Sequence, residues 1–374
     1  MVDFLVSIVN IDSNSYDKPG IDRCGDAISA FFRANGMPVE TISLPEHGDI
    51  LRVETSGGPG GRPILILGHR DTVFPTGDAS RRPFTIRDGR AYGPGVADMK
   101  AGLVVNCFVL AAFTRFGGAP APLVGLVTGD EEIGSPASRP HIEAEARAAL
   151  AVFNAESARA NGDFVVARRG CLFIEIVVEG RSAHSGVNFD EGRSAVEALA
   201  RKISALYGLT RRDDLVTVNV GQISGGQSVN TVAARASARV DLRYYEAADR
   251  ARLLGEVQHI VETCDAPGTS ARFEIFGEFP PMNETPASRA LADLYCRSAA
   301  QVGFGTRGAL TAGAADSSFT AAVGAPTLCG LGPVGGRYHS DDEYMELASF
   351  VPRAKALALT IARLDAKTLS ETAP

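Results

Sequence analysis

The sequence predicts an α/β domain with a mostly parallel sheet, interrupted by an inserted ferredoxin-like α+β domain. Three observations predict it. Toward both ends of the chain, short and wholly apolar runs alternate with helical periodicity, the pattern of strands buried on both faces between crossover helices. The middle instead carries strands of period-two alternation in the order β-α-β-β-α-β, which is the ferredoxin-like order. The length, 374 residues, also exceeds what one ordinary core supports.

In chain order, Ile28 to Phe32 lies in an amphipathic helix pattern, and PILIL (Pro63 to Leu67) reads as a buried strand. Ala101 to Phe116 reads as a buried helix, followed by strands at Leu123 to Val127 and Ala149 to Phe153. In the middle, strands are expected at Leu172 to Val178, Leu215 to Ile223, Ala234 to Leu242 and Ala271 to Phe276. Helices are expected there at Glu191 to Tyr207 and Ala247 to Cys264. The last part returns to the first style, with helix Ala287 to Val302, strand Pro326 to Cys329 and helix Tyr344 to Leu364. Boundaries near Gly170 and the Pro280–Pro281 pair assign residues 1–170 and 281–374 to one domain and 171–280 to the insertion. The tail after Ala366 reads as frayed.

Composition narrows the function. Hydrophobic residues are 45% and charged residues 22% of the chain, which is ordinary globular composition. A formal net charge of −7 without a basic block argues against nucleic-acid and membrane partners. The six cysteines are scattered singly with no CxxC pair, so neither a cysteine zinc site nor a disulfide framework is expected, and a cytoplasmic setting fits. The first ten residues lack the basic region of a signal peptide. The apolar stretch Leu103 to Phe113, interrupted by Asn106, is too short to span a bilayer.

Acidic and histidine residues fall at the ends of the predicted strands, where sites form in open α/β sheets. GHRDTVFP holds His69 and Asp71, YGPGVADMKAG holds Asp98, TGDEEIGS holds Glu131 and Glu132, FNAES holds Glu156, and GRYHSDDEY holds His339. Imidazole and carboxylate donors suit a borderline metal such as zinc. A five-ligand set with one shared carboxylate can hold two metals about 3.5–4 Å apart, which polarise an amide carbonyl and acidify a water. A further carboxylate must then take that water's proton, and adjacent glutamates on a turn can divide the labour. Asp71 can accept the second ring N–H of His69. Each piece alone is weak. A lone histidine is more often a surface residue, an acidic pair is usually a solvated loop, and Asp98 could simply cap the following helix. Asp341 and Asp342 read as loop or cap residues, and His47, His141 and His259 receive no role. Five such pieces together, each after an apolar strand or in a Gly-rich loop, outweigh the bland reading.

On these motifs the chain resembles the acetylornithine deacetylase, succinyl-diaminopimelate desuccinylase, aminoacylase and carboxypeptidase G family of co-catalytic zinc hydrolases. GHRDTV, GPGVADMKAG, TGDEEIGS and YHSDDEY match in order along nearly the whole chain. The resemblance implies two Zn2+ per subunit, with Co2+ or Mn2+ as alternatives. His69, Asp98 and Glu156 would hold one metal, and Asp98, Glu132 and His339 the other, with Asp98 bridging. Glu131 matches the general base and Asp71 the residue that supports His69. His184, in GRSAHSG, matches a histidine that reaches the neighbouring subunit's site as an oxyanion donor, which implies a homodimer through the inserted dimerisation or lid domain.

The resemblance extends to substrate binding. Arg243 in VDLRYY and Asn230 in SVNTVAARA match residues that bind the substrate's terminal carboxylate, a task suited to a guanidinium fork. A surface ion pair is the ordinary alternative for Arg243. Gly313 and Asp316 lie in TAGAADSSF, similar to a Gly-rich segment lining the pocket. Arg168 and Arg169 precede Gly170 and are either salt-bridged there or select an acidic side chain. FNAES, GRSAHSG, VDLRYY and TAGAADSSF look most like the glutamate carboxypeptidase type, although FNAES departs from the Glu-Pro form of several members. The implied reaction releases a C-terminal amino acid such as glutamate from a small peptide or N-acyl conjugate. An N-acyl amino-acid deacylase is the nearer rival, and a non-catalytic metal-binding protein the distant one.

Overall fold

The computed structural model describes residues 1–55, 58, 61–264 and 266–365. The tail after Ala366 lies outside the described residues. Two compact units emerge. The first comprises 1–167, 282–311 and the chain from Ala315 onward; the second comprises Arg168–Pro281 and Ala312–Ala314.

The first unit is built on a six-stranded sheet in the order Val39–Ile42, Ile50–Thr55, Leu123–Thr128, Ile64–His69, Ala151–Asn154, Thr327–Leu328. The last four strands pair in parallel. The first two join antiparallel, forming an edge that no apolar run in the sequence announces. Strands Ile64–His69 and Leu123–Thr128 are buried at every position, as strands covered on both faces must be. Helix Ala101–Phe116 packs on this sheet and against helix Leu347–Ala362. Burying one such leucine or phenylalanine contributes roughly 1.5–3 kcal/mol, and Leu67, Leu103, Leu126, Phe153 and Phe350 are all essentially inaccessible. Helix Lys18–Ala34 starts where Asp17 accepts the Gly20 N–H, with Pro19 in the first turn, a good N-terminus. The helical run Val96–Phe116 is long and apolar enough to cross a membrane, longer than Leu103 to Phe113 alone suggests, and 78% of its apolar window is buried inside the protein.

One expected helix is shorter than its apolar pattern. Tyr344–Glu346 is a strand pairing with Arg90–Tyr92, and the helix begins only at Leu347. The pairing wins because the short antiparallel sheet of Thr85–Arg87, Arg90–Tyr92, Tyr344–Glu346 and Gly335–Gly336 claims those backbone groups.

The second unit is a four-stranded antiparallel sheet with helices Ala195–Tyr207 and Asp249–Glu262. Its strand order is Thr217–Gly225, Arg235–Tyr244, Gly170–Glu179, Ser270–Phe279. With the two helices this is the ferredoxin-like arrangement. Its core gathers Leu172, Ile174, Ile176 and Val178 with Leu199, Val240, Leu253 and Val257. The first helix begins at Ala195 rather than Glu191, because Ser194 caps it by accepting the Glu197 N–H at 3.1 Å.

Candidate metal centre

Three neighbouring parallel strands deliver acidic and imidazole groups from their carboxyl ends. His69 ends the central strand, and its register partner is Thr128 on the strand preceding Glu131 and Glu132. On the other side, strand Ala151–Asn154 leads directly to Glu156. Glu131 and Glu132 lie on one 3-10 turn, Glu131–Ile133, so neighbouring side chains reach one cavity. Asp98 interrupts the turn Val96–Lys100 with an extended φ/ψ of −111°/95°. It does not act as a helix cap. His339 sits in the loop between Gly335–Gly336 and Tyr344–Glu346.

These six side chains converge. His69 Nε2 stands 3.4 Å from Asp98 Oδ1 and 3.4 Å from Glu156 Oε1. His339 Nε2 stands 3.4 Å from Asp98 Oδ2 and 3.2 Å from Glu132 Oε2. The two oxygens of Asp98 therefore face two different histidines. Glu131 Oε2 lies 3.8 Å from His69 Nε2. Donor atoms of His69, Asp98 and Glu132 fall within 4.8 Å of one another, as do those of His69, Glu131 and Glu156.

The donor set fits metal ions. Two ligand atoms each about 2.1 Å from a tetrahedral ion stand about 3.4 Å apart, which is the spacing of the histidine–carboxylate pairs. His69 Nε2 is buried with no hydrogen-bond partner, although such atoms are nearly always paired. The electrostatics point the same way. Burial and the neighbouring Asp98 push Glu132 up to about 7, and burial with nearby carboxylates pushes Glu131 well above its ordinary range. The hydrogen bonds to Asp98 and Glu132 push His339 up to about 10. Burial works against protonated His69, yet Glu131, Asp71, Asp98 and Glu156 outweigh it and raise its pKa well above the usual value. Likewise burial opposes a charged Asp98, but His339 and His69 hold it far below the usual carboxylate range. Two glutamates pushed toward the protonated form beside two imidazoles held toward the charged form mark a crowded acidic site that demands positive charge.

A second ring of groups fixes this geometry. Asp71 is fully buried. Its Oδ1 lies 3.3 Å from His69 Nδ1 and accepts the Glu131 N–H at 3.2 Å, while Oδ2 accepts the Glu132 N–H at 3.1 Å and the Ser15 hydroxyl at 2.7 Å. The Asp71 carbonyl lies 3.1 Å from the same ring nitrogen. Asp130 accepts the N–H groups of Ala137 and Ser138 at 2.8 and 3.1 Å, closing the glutamate turn. Asp316, expected in a pocket lining, is instead buried beneath that turn, accepting from Ser135 and Thr128. Burial pushes its carboxyl up to about 7. Glu343 accepts the N–H groups of Ala97 and Asp98. Sequence reasoning missed Ser15, Asp130, Ser135, Ser157 and Glu343. Glu343 stands inside the quoted GRYHSDDEY motif, four residues after His339, so its position was available and its partners were not. Asp341 and Asp342 are exposed and pair with Arg81 and Arg337.

The second unit carries the remaining expected residues. His184 is exposed, and its Nδ1 accepts the Gly186 N–H at 3.1 Å, which leaves Nε2 as the N–H donor of the neutral ring. Asn230 adjoins it, its carbonyl accepting the Ser185 N–H at 3.0 Å. Arg243 lies at the other end of the sheet. Arg235 pairs with Glu179 and Arg243 with Cys171, so these ends are about 26 Å apart along the strand. The expectation that Arg243 and Asn230 grip one carboxylate cannot be met within a single chain. Arg243 forms a forked pair with Asp241 at 2.7 and 3.0 Å and donates to Ala312 O at 3.1 Å. Arg168 donates to the carbonyls of Gly313 and Ala314 at 2.7 and 3.2 Å, and Arg169 to Thr217 Oγ1 at 2.8 Å. Gly313 thus contributes a carbonyl there.

Comparison with known proteins places the chain in a family. The chain is 26% identical over 362 residues to carboxypeptidase G2 of Pseudomonas sp. (strain RS-16), covering 95% of this chain and 86% of that protein. Among solved structures, an M20 family metallo-carboxypeptidase of Sulfolobus solfataricus superposes with a TM-score of 0.78 at 18% identity, covering 96% of this chain and 98% of the other. A dinuclear metal-binding peptidase of the M20 family from Bacillus subtilis superposes with a TM-score of 0.71 at 16% identity, covering 100% and 98%. The sequence pattern of peptidase family M20/M25/M40 matches residues 65–363. The chain belongs to peptidase family M20/M25/M40.

Proposed function

We propose that this peptidase is a two-zinc carboxypeptidase, which releases a C-terminal amino acid such as glutamate from a small peptide or N-acyl conjugate. The observation that carries the reading is Asp98, whose two oxygens face His69 and His339 separately while Glu131 remains beside them. His69, Asp98 and Glu156 would hold one ion, and Asp98, Glu132 and His339 the second. Zinc is favoured by mixed imidazole and carboxylate donors, and Co2+ or Mn2+ suit them too. Such a pair supplies Lewis-acid polarisation of the scissile carbonyl and a more acidic water. The similarity to carboxypeptidase G2 supports the carboxypeptidase assignment.

The chain's own residues do the rest. Glu131, buried and with a raised pKa, takes the proton of the attacking water and returns it to the leaving amine nitrogen. Asp71 keeps the His69 ring oriented by accepting at Nδ1. Arg243 takes the substrate carboxylate by exchanging its Asp241 partner for it. His184, with Nε2–H outward, donates to the carbonyl oxygen as negative charge develops. It does so from a second copy of the chain, together with the adjacent Asn230, in a homodimer.

Glu131→Ala tests the reading against a panel of N-acyl-glutamates, N-acetyl amino acids and dipeptides. The expected result is two metals retained per chain and a fall in kcat of about 10²–10⁴-fold. Near-normal turnover would remove Glu131 from its role. Preference for N-acetyl amino acids over acyl-glutamates would replace the carboxypeptidase by a deacylase.

A further inference from the structure

The peptide between Ala97 and Asp98 is held from two sides by neighbours of other proposed ligands. Glu343 is fully buried, and a single oxygen, Oε1, accepts the N–H groups of both Ala97 and Asp98 at 2.8 and 2.9 Å. Its own N–H donates to Ser340 O at 3.1 Å, closing a turn immediately after His339. From the opposite side, the hydroxyl of Ser157, next to Glu156, donates to Ala97 O. The segment carrying Asp98 is therefore tied to the His339 loop through its N–H groups and to the Glu156 loop through a carbonyl. This tie meets a local need. At φ/ψ of −111°/95° Asp98 breaks the helical ladder, and an N–H inside the protein needs an acceptor from elsewhere.

We propose that Glu343 is a positioning residue for the metal centre, which with Ser157 braces the Ala97–Asp98 peptide and so sets the bridging carboxylate before any ion arrives. The inference rests on the metal centre proposed above. It assigns Glu343 no contact with substrate or ion. The brace acts through backbone groups of one ligand, and it couples that ligand to the loops of His339 and Glu156. Disturbing it therefore weakens metal binding by the already folded protein, which a purely structural buried carboxylate would not do.

The test uses the full chain, stripped of metal and titrated with Zn2+ against a chromophoric chelator, with the melting temperature of the metal-free protein recorded alongside. Glu343→Ala is expected to weaken Zn2+ affinity about 10–100-fold. Glu343→Gln keeps an acceptor oxygen for both N–H groups and is expected to bind within a few-fold of the wild type. As a control, Arg353 is a buried arginine that donates to Tyr295 and Gly162 elsewhere in the same unit. Arg353→Met is expected to lower the melting temperature without changing Zn2+ affinity. Unchanged affinity in folded Glu343→Ala would overturn the brace, as would an equal loss in Glu343→Gln. Should Glu343→Ala not fold, Ser157→Ala carries the test, with weakened Zn2+ binding expected and wild-type affinity refuting it. A wild-type chain that takes up no Zn2+ would instead remove the metal centre itself, an outcome distinct from the failure of the brace.

Discussion

Asp71→Asn isolates the group that joins the metal cradle to the glutamate turn. The carboxylate is inaccessible to solvent and faces four donors: the His69 ring, the N–H groups of Glu131 and Glu132, and the Ser15 hydroxyl. An asparagine keeps the shape but turns one oxygen into a donor. Ser15 can rotate and accept, so the irreducible loss is one backbone N–H, of Glu131 or of Glu132, left facing an amide N–H. A buried donor stripped of its acceptor costs about 1–3 kcal/mol. The same change removes the negative charge beside His69, and losing such a supporting partner lowers metal affinity about 10–100-fold. Urea denaturation of the metal-free protein reads the first effect, and Zn2+ titration of the folded metal-free protein reads the second. Stability within about 0.5 kcal/mol of the wild type, the range of ordinary surface changes, together with unchanged Zn2+ affinity, would refute the assignment of Asp71 as the joint.

Two further perturbations follow from the same geometry. Glu132, Asp316 and Glu343 are pushed up to about 7, 7 and 8 by burial, whereas an unfolded chain releases such protons near pH ~4. Their contribution to the metal-free fold is thus complete below about pH 4 and is lost as pH rises through their folded values. Asp71 and Asp98, held low, act oppositely and destabilise only as pH falls below about 4. The metal-free melting temperature is expected to fall between about pH 5 and pH 8.5, while the increment from added Zn2+ grows because ligands must lose protons to bind. A flat metal-free profile over that range would contradict the burial argument. Separately, a Cβ at Gly102 would run into the carbonyl of Ala155, which Gly332 also approaches closely. Helix propensity alone favours Gly102→Ala by about 1 kcal/mol, but displacing the Ala155–Glu156 peptide costs about 1–3 kcal/mol. Calorimetry and Zn2+ titration are expected to show a less stable protein that binds metal more weakly, and a stabilised variant would show that the Glu156 loop yields freely.

The elements that could be read locally were legible in the chain. PILIL, LVGLV and ALAVF are strands because continuous apolar runs suit a sheet covered on both faces, and each is followed by the acidic or histidine residue that the sheet delivers. The alternation in LFIEIVV and ARASARVDL marks a sheet with one covered face, and the β-α-β-β-α-β order follows from it. The short strands Val39–Ile42 and Ile50–Thr55 at one side of the sheet had no such signal. Nor did Tyr344–Glu346, whose residues continue an apolar helical pattern until pairing with Arg90–Tyr92 overrides it.

The identity of the six converging side chains was thus legible in the sequence, because residue type and a place after an apolar strand or in a Gly-rich loop are local properties. How they are held was decided only by the tertiary structure. That Asp98 presents its two oxygens to two histidines depends on Glu343, more than two hundred residues away, reaching its backbone N–H. That Asp316 lies under the glutamate turn, that Arg243 is already paired with Asp241, and that Asn230 stands with His184 far from Arg243 are likewise results of folding. Hydrogen-bond satisfaction and burial join residues distant in the chain, and periodicity along a sequence carries no record of which distant partner will complete them.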